Sequence, residues 1–367
     1  MLSVKKLTHN LDVAFGTSGV RGLVKDLKPS ICFAFVKAFL QVNGSESKRI
    51  TLGIDLRPSS LSIAKSCIAA INVHGCEVVY FGELPTPALA FYAMSNKMPC
   101  IMITGSHIPF SRNGLKFYNT DGEISKLDEV NIINAEVQLP ENLDAIVNNI
   151  QLPIINTEAL NFFKQRYIEL FPFDMLKGKR IGIYEHSSVA RDVLKDLMSY
   201  FGAEVTSLER TDYFVPIDTE AVSAIDKEKA KEWAKKYKLD AIISTDGDGD
   251  RPLISDENGQ WLRGDVLGVL CDNYLSATHV AAPINVNSML EASSKRELIC
   301  TRTCIGSPYV IAAMQDLAKK LLATNKKPSI SSVEASAAKI VGYEANGGFM
   351  VGSDIELNGK ILHSLPT

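Results

Sequence analysis

The chain has 367 residues, 46% of them hydrophobic and 22% charged, which is typical of a soluble globular protein with two or three domains. Its formal net charge of −3 excludes a general nucleic-acid or membrane-surface binder, because such proteins need an excess of basic residues. No apolar run reaches the roughly 18 residues that a membrane span needs, and the N-terminal stretch lacks the apolar segment of a signal peptide.

The seven cysteines are scattered through apolar segments, and none forms a C-x-x-C pair. An odd number with this distribution favours reduced thiols in the core of a cytosolic protein. We therefore expect a cytoplasmic protein.

Strand and helix patterns alternate from residue 49 onward. Residues 49–54 and 76–82 are strand-like, and between them lies a helix-like segment, 59–75, that ends at Gly75. Residues 99–105, PCIMITG, form a further strand pattern. This βαβ rhythm predicts a largely parallel sheet covered by helices.

The rhythm restarts at residue 179 and again after residue 260, and the polar segments 141–153 and 256–260 mark the boundaries. The sequence therefore predicts three tandem repeated α/β domains, each a mixed, mostly parallel sheet flanked by helices, at residues 1–150, 151–257 and 258–367. Open parallel sheets bind ligands at the carboxyl ends of their strands, so we expect the chemistry in the polar loops that follow the strands.

The first such loop, TGSHIPFSRNGLK, contains a serine, Ser106, with His107 and Lys116 close by. A serine hydroxyl needs activation before it can act as a nucleophile. The G-x-S-x-G pattern of a hydrolase is absent, and His107 is adjacent in sequence, where it cannot easily serve as a triad base.

The second loop, STDGDGDRPL, alternates Asp246, Asp248 and Asp250 with glycines. Carboxylates this close repel one another unless a cation lies among them, and oxygen ligands suit Mg²⁺ or Ca²⁺. An EF-hand is excluded because Arg251 stands at the sixth position, where that loop needs glycine. A metal loop combined with cationic side chains indicates phosphoryl transfer, with Ser106 as the carrier.

The third loop, GYEANGGF, offers Glu344 and Asn346 among glycines, which suits hydrogen bonding to vicinal hydroxyls but also fits a glycine-rich hairpin. FGTSGVRG places Arg21 in a glycine-rich turn that either holds a phosphate or is a simple loop. Asp55 and Arg57 form either a structural ion pair or a ligand contact.

Taken together, the loops resemble those of the α-D-phosphohexomutase superfamily, the phosphomannomutase and phosphoglucomutase enzymes. TGSHIP resembles the phosphoserine loop T-[AG]-S-H-N-P, DGDGDR the metal loop D-G-D-x-D-R, and GYEANGG the sugar loop G-x-E-x-[SN]-G. FGTSGVRG, GIDLRPSS, NGLKFY and the terminal LPT resemble further motifs. The matches follow the family order from Phe15 to Thr367.

The resemblance implies a Mg²⁺-dependent exchange of hexose 1-phosphate and 6-phosphate through a phosphoserine and a hexose 1,6-bisphosphate, which also serves as activator. The enzyme would be a cytoplasmic monomer or homodimer. The implied catalytic residues are Ser106, His107, Lys116, Arg21 and Arg251. The implied Mg²⁺ ligands are Ser106, Asp246, Asp248 and Asp250. The implied substrate contacts are Glu344, Asn346, Gly342 and Arg21.

Two features depart from the family pattern. Ile108 replaces the usual asparagine of the phosphoserine loop, and the R-x-S-G-T-E-P pattern of the fourth domain does not occur. We therefore expect a three-domain form without the fourth domain and with weak or no mutase activity.

A phosphomannomutase is the first expectation, and phosphoglucomutase or phosphoglucosamine mutase are the alternatives. A Mg²⁺ phosphatase would use the acidic loop but would leave Ser106 unexplained. A non-catalytic form that only binds sugar phosphate is the other alternative.

Overall fold

The computed structural model describes residues 1–43, 47–292, 298–324 and 338–365, so Pro366 and Thr367 of the LPT motif lie outside the described residues. We call the parts that contain the three successive sheets the first, second and third units. The helices of the first unit are α1 Val4–Thr8, α2 Pro29–Val42, α3 Ser60–His74, α4 Thr86–Ser95, α5 Lys126–Asn134 and α6 Leu143–Asn149. Its strands are β1 Leu2–Ser3, β2 Val13–Phe15, β3 Val20–Leu23, β4 Arg49–Ile54, β5 Glu77–Glu83, β6 Cys100–Ile103, β7 Arg112–Asn119, β8 Gly122–Glu123 and β9 Glu136–Val137.

The second unit follows with α7 Glu158–Leu170, β10 Arg180–His186, α8 Arg191–Tyr200, β11 Glu204–Arg210, α9 Ala224–Tyr237, β12 Ala241–Thr245 and β13 Pro252–Ile254. The third unit contains α10 Gly264–Leu275, β14 His279–Pro283, α11 Met289–Ala292, β15 Ile299–Thr303, α12 Ser307–Thr324, β16 Ile340–Tyr343, β17 Phe349–Val351, β18 Ile355–Leu357 and β19 Lys360–Leu362.

The three units share one sheet order, which confirms the predicted repeat and the α/β class. The strands run β5-β4-β6-β7 in the first unit, β11-β10-β12-β13 in the second and β15-β14-β16-β17 in the third. In each case the first three strands are parallel and the fourth is antiparallel to the third. The first sheet extends further through β3 and β2, both antiparallel.

Local sequence explains where these elements end. Helix α3 stops before Gly75, which caps it with a φ of 86° and so confirms the predicted end. Strand β4, RITLGI, is buried from its second residue onward, as expected for a parallel strand that is covered on both faces.

The first two units are joined by a continuous apolar core. Helix α4 of the first unit packs on α7 of the second, and α7 packs in turn on α8; the buried side chains of this cluster include Leu89, Phe91, Phe163 and Leu197. Strand β6 contributes Cys100 and Met102 to this core, and the backbone N–H of Thr86 at the start of α4 donates to the Asp248 carbonyl at 2.9 Å. The loop after β6 and the loop after β12 are therefore both held close to α4.

Two details of the sequence interpretation were wrong. Arg21 lies in strand β3 rather than in a turn, because Val20–Leu23 pairs with both β2 and β7. The cysteines are all free, but Cys271 and Cys304 are exposed rather than in the core.

The polar segment 141–153, predicted as a boundary, contains the short helix α6. Leu143 and Val147 of this helix, four residues apart, are buried against the first core.

None of the helices within the described ranges is long and apolar enough to cross a membrane.

Candidate functional site

The three predicted loops occupy the same place in the three units, between the third and fourth strands of the shared order. Each is closed by a backbone hydrogen bond near its ends: Thr104 N to Gly114 O at 3.1 Å, Asp246 N to Arg251 O at 3.2 Å and Glu344 N to Gly348 O at 3.0 Å. The structure brings these loops together, so that the serine, the carboxylates and the Glu344–Asn346 pair contribute to one site.

The first loop holds Ser106 in a constrained position. Ser106 is 1% exposed and has a φ of 55°, in the left-handed region that costs a non-glycine residue about 1 kcal/mol. The backbone carbonyl of Ser106 accepts a hydrogen bond from Arg57 Nη2 at 2.9 Å, and its amide donates to Thr104 Oγ1 at 2.7 Å. These contacts fix the direction in which the hydroxyl points.

Arg57 is held in turn by Asp55, at 3.1 Å from Nε to Oδ2, with both side chains fully buried. This arrangement agrees with the structural ion pair that the sequence suggested. Gly105 lies directly against the guanidinium, and a Cβ at that position would come within 2.3 Å of Arg57 Cζ. The glycine before the serine is therefore required by close packing.

The second loop gathers three carboxylates at the end of β12. One carboxylate oxygen each from Asp246, Asp248 and Asp250 lies within 4.8 Å of the others, and the first two residues are fully buried. The hydroxyl of Ser106 donates a hydrogen bond to Asp246 Oδ2. The predicted phosphoryl carrier therefore faces the predicted metal loop.

A lysine and a threonine from the first unit stabilise the carboxylates of this loop, the lysine by its charge and the threonine by a hydrogen bond. Lys116 Nζ from β7 contacts Asp248 Oδ2 at 2.8 Å and also pairs with Asp250. Thr86 at the start of α4 donates to Asp248 Oδ2 at 2.6 Å. Burial opposes ionisation of both members of the buried pair, but their attraction outweighs it, so the pKa of Lys116 is raised and the pKa of Asp248 is lowered.

The carboxylates retain ligand capacity that fits a divalent cation. Within the described part of the chain, Asp248 Oδ1 and Asp250 Oδ1 are buried and have no hydrogen-bond donor. Burial raises the pKa of Asp246, and the nearby Asp248 and Asp250 raise it further. A hard cation bound by oxygen ligands satisfies the unpaired oxygens and relieves this repulsion.

His107 is held in its neutral form beside the serine. Burial lowers the pKa of His107 to about 4, and the positive charge of Arg251 contributes to this shift. Arg251 Nη1 lies 2.7 Å from His107 Nδ1, and since a guanidinium can only donate, we assign Nδ1 as the acceptor and place the ring proton on Nε2. Arg21 Nη1 donates to the carbonyl of Thr104 at the base of the same loop.

The third loop places Glu344 and Asn346 at a small cavity. Asn346 Oδ1 accepts from Gly348 N at 2.9 Å, and Asn346 Nδ2 lies 3.5 Å from Glu344 Oε2. The cavity measures about 40 Å³ and is also lined by Lys116, Asp250 and Arg251. The predicted sugar contacts and the predicted metal loop therefore border the same space.

Gly342 does not line this cavity. It lies within β16, where an added Cβ would come within 2.6 Å of Val310 Cγ1 and 2.8 Å of Met314 Sδ. Its position indicates a packing requirement under α12 rather than a contact with a ligand.

Several supporting residues escaped the sequence interpretation because no motif marks them. Residues 211–223, between β11 and α9, reach all three units: the Phe214 ring lies 4.1 Å from the Arg57 guanidinium, and Thr219 Oγ1 donates to the Asn346 carbonyl at 2.7 Å. Beneath the metal loop, Ser188 Oγ lies 2.6 Å from Thr245 Oγ1 and His186 Nε2 lies 2.9 Å from the Thr245 carbonyl. The sequence feature that could have indicated these residues is the polar segment after each of the strands β10 and β11.

Comparison with known proteins adds the following. Residues 12–142 match the family described as phosphoglucomutase/phosphomannomutase, alpha/beta/alpha domain I. A phosphomannomutase from Salmonella muenchen is 50% identical over 357 residues, which cover 97% of this chain and 70% of the relative. A phosphomannomutase from Sinorhizobium fredii is 43% identical over 359 residues, 96% of this chain and 72% of the relative.

A solved structure has the same fold. It is that of a phosphoglucomutase/phosphomannomutase family protein from Burkholderia thailandensis, which superposes with a TM-score of 0.69 at 17% identity. The match covers 96% of this chain and 73% of the other.

Proposed function

The chain belongs to the phosphoglucomutase/phosphomannomutase family of the α-D-phosphohexomutase superfamily, and from that premise we propose that it is a Mg²⁺-dependent phosphomannomutase. Its relatives support phosphohexomutase function over most of the chain. The proposal adds the sugar, the metal and the roles of individual residues.

One observation carries the proposal: the Ser106 hydroxyl donates to Asp246, while Lys116 bridges Asp248 and Asp250. A phosphoryl group on Oγ at this position would lie beside both the acidic loop and its lysine. Phosphoryl transfer depends mainly on positioning and on neutralising the charge of the transferred group. This is the arrangement that such a reaction needs.

Asp246, Asp248, Asp250 and a phosphoryl oxygen on Ser106 would hold the Mg²⁺. When bound there, the metal supplies Lewis-acid stabilisation of charge on the transferred phosphoryl group. Lys116 places a second positive charge at the same loop, and neutral His107 can donate from Nε2 while Arg251 holds its other nitrogen.

The reaction begins with phosphorylated Ser106. The 1-hydroxyl of mannose 6-phosphate attacks the phosphorus, the new O1–P bond forms as the Oγ–P bond breaks, and the hydroxyl proton leaves to a base. The resulting mannose 1,6-bisphosphate then reorients in the site, so that its 6-phosphate faces Ser106. Ser106 Oγ then attacks the phosphorus of the 6-phosphate, the O6–P bond breaks and O6 takes up a proton, which releases mannose 1-phosphate and regenerates the phosphoserine.

The chain provides an acceptor for the serine proton in the second transfer. Asp246 Oδ2 already receives the hydrogen bond from Ser106 Oγ, so it is an acceptor within hydrogen-bond reach of the serine proton. Glu344 and Asn346 would bind the sugar hydroxyls in both poses, because vicinal hydroxyls at either end of the ring present similar donors and acceptors. An added hexose 1,6-bisphosphate would prime the enzyme by phosphorylating Ser106.

The test is a comparison of mannose 1-phosphate, glucose 1-phosphate and glucosamine 1-phosphate as substrates, with Mg²⁺ and a catalytic amount of glucose 1,6-bisphosphate. We expect the 6-phosphate to form, with the highest kcat/KM for mannose 1-phosphate. Preference for glucose or glucosamine phosphate would contradict the assigned sugar, and steady release of inorganic phosphate would contradict a mutase. The rates from the same assay also test the prediction that mutase activity is weak or absent.

A further inference from the structure

A second group of hydrogen-bonding side chains borders the cavity of the third loop. Glu123 Oε1 accepts a hydrogen bond from Ser18 Oγ at 2.5 Å, and Glu123 Oε2 accepts one from Ser307 Oγ at 2.7 Å. Ser18 lies in the turn between β2 and β3, Glu123 ends β8, and Ser307 begins α12 of the third unit. Three distant parts of the sequence therefore meet at one carboxylate.

This carboxylate shares its cavity with the predicted sugar contacts. Glu123, Ser18 and Ser307 line the same space as Glu344 and Asn346. Within the described residues, no lysine, arginine or histidine nitrogen lies within 4.0 Å of the Glu123 carboxylate. Its hydrogen-bond partners are hydroxyl groups, which is the kind of donor that a hexose presents.

We propose that Glu123 is a specificity-determining residue that accepts a hydrogen bond from a hydroxyl of the hexose, as a second carboxylate beside Glu344. The proposal rests on the proposed function, since it assigns a sugar phosphate to this cavity. It extends the predicted contacts, because neither the sequence motifs nor the matched family description points to Glu123.

For a sugar hydroxyl to reach Glu123, the Ser307 hydroxyl has to release Glu123 Oε2. Ser307 belongs to the third unit while Glu123 and Ser18 belong to the first. A shift of the third unit would therefore free Glu123 Oε2 and leave Oε1 oriented by Ser18.

Hydroxyl donors then replace one another at the same oxygen. The sugar hydroxyl would take the place of the Ser307 hydroxyl, so the half-buried Glu123 carboxylate keeps a hydrogen-bond donor with or without the sugar. A carboxylate removed from water without a donor is costly, and this exchange avoids that cost in either state.

The test compares Glu123→Gln with Glu129→Gln by calorimetry, using mannose 1-phosphate and inorganic phosphate as ligands, without divalent cations so that no transfer accompanies binding. Glu129 is a matched control because it is a buried carboxylate on the neighbouring helix α5, paired with Lys126 and outside the cavity. Glu123→Gln keeps the shape of the side chain, so its folding is expected to match that of wild type.

We expect Glu123→Gln to weaken mannose 1-phosphate binding by about 10- to 100-fold, the effect of losing a hydrogen bond to a charged group. Inorganic phosphate should bind as tightly as before or more tightly, because a negative charge near the site has been removed. Glu129→Gln should stay within about two-fold of wild type for both ligands.

Unchanged binding of mannose 1-phosphate to Glu123→Gln would overturn the proposal, and so would an equal loss for both ligands, which would indicate a structural role. A wild type that binds mannose 1-phosphate but does not isomerise it with Mg²⁺ would contradict the proposed function, while the effect of Glu123→Gln on binding would still support Glu123. A wild type that does not bind mannose 1-phosphate would contradict both.

Discussion

Replacing Ser106 by alanine should reduce mutase turnover by about 10⁴-fold or more, the range seen when a covalent nucleophile is removed. Ser106 Oγ is the hydroxyl oxygen of this loop that contacts Asp246, so its removal takes away the proposed phosphoryl carrier beside the acidic loop. The measurement is the initial rate of mannose 6-phosphate formation from mannose 1-phosphate, with Mg²⁺ and glucose 1,6-bisphosphate present.

Ser66→Ala is the matched control, because Ser66 is also buried but lies in α3, away from the acidic loop, where its hydroxyl donates to the Ser62 carbonyl at 3.5 Å. We expect that variant to keep at least half of the wild-type rate. A Ser106→Ala enzyme with more than about 1% of the wild-type rate would show that another group carries the phosphoryl.

Replacing Lys116 by methionine should lower the free energy of unfolding by about 3 kcal/mol or more when Mg²⁺ is absent. The Lys116 side chain is 3% exposed and contacts both Asp248 and Asp250, so its loss leaves the fully buried Asp248 carboxylate without its salt-bridge partner. Mg²⁺ should restore part of the stability, because a cation among these carboxylates replaces the missing charge. Urea unfolding followed by circular dichroism, in EDTA and in Mg²⁺, measures both effects.

Lys164→Met provides the comparison, since Lys164 pairs with Asp196 at 3.0 Å at the exposed surface. Such a pair contributes about 1 kcal/mol or less, and its loss should not respond to Mg²⁺. If Lys116→Met unfolds at the same urea concentration as Lys164→Met in EDTA, Lys116 does not stabilise the fold through the carboxylates of the acidic loop, and the prediction is wrong.

The sequence locates the loops of the candidate site where polar residues follow a strand directly. Cys100–Ile103 is a buried strand and Ala241–Thr245 is largely buried. The residue types after each one, a serine with cations and alternating aspartates, restrict the possible chemistry. Because all three units repeat one strand order, these loops fall at equivalent places, and this equivalence explains why they converge.

Residues that act through tertiary contacts could not be found in this way. Thr86 begins a helix 162 residues before its partner Asp248, and nothing in its neighbourhood distinguishes it from an ordinary helix start. Glu123 and Ser307 meet only because the first and third units pack together at the cleft. The glycines around Arg21 predict a turn, yet the pairing of Arg21 with Gly114 of β7 makes it part of the sheet.

The position of Ser106 also depends on tertiary structure. Its left-handed backbone is maintained by Arg57, which lies 49 residues earlier in the chain and is itself fixed by Asp55. A sequence pattern identifies the serine, but the direction of its hydroxyl toward Asp246 follows from this buried ion pair.

The central claim is that Ser106 carries the phosphoryl group, and intact-mass spectrometry of the purified chain tests it most directly. The chain and its Ser106→Ala variant are measured before and after incubation with glucose 1,6-bisphosphate and Mg²⁺. The account predicts one added phosphate, about 80 Da, on the wild type and none on Ser106→Ala. An added phosphate on both proteins would contradict the claim, because the group would then be carried elsewhere, and no added phosphate on the wild type under any condition would contradict it as well.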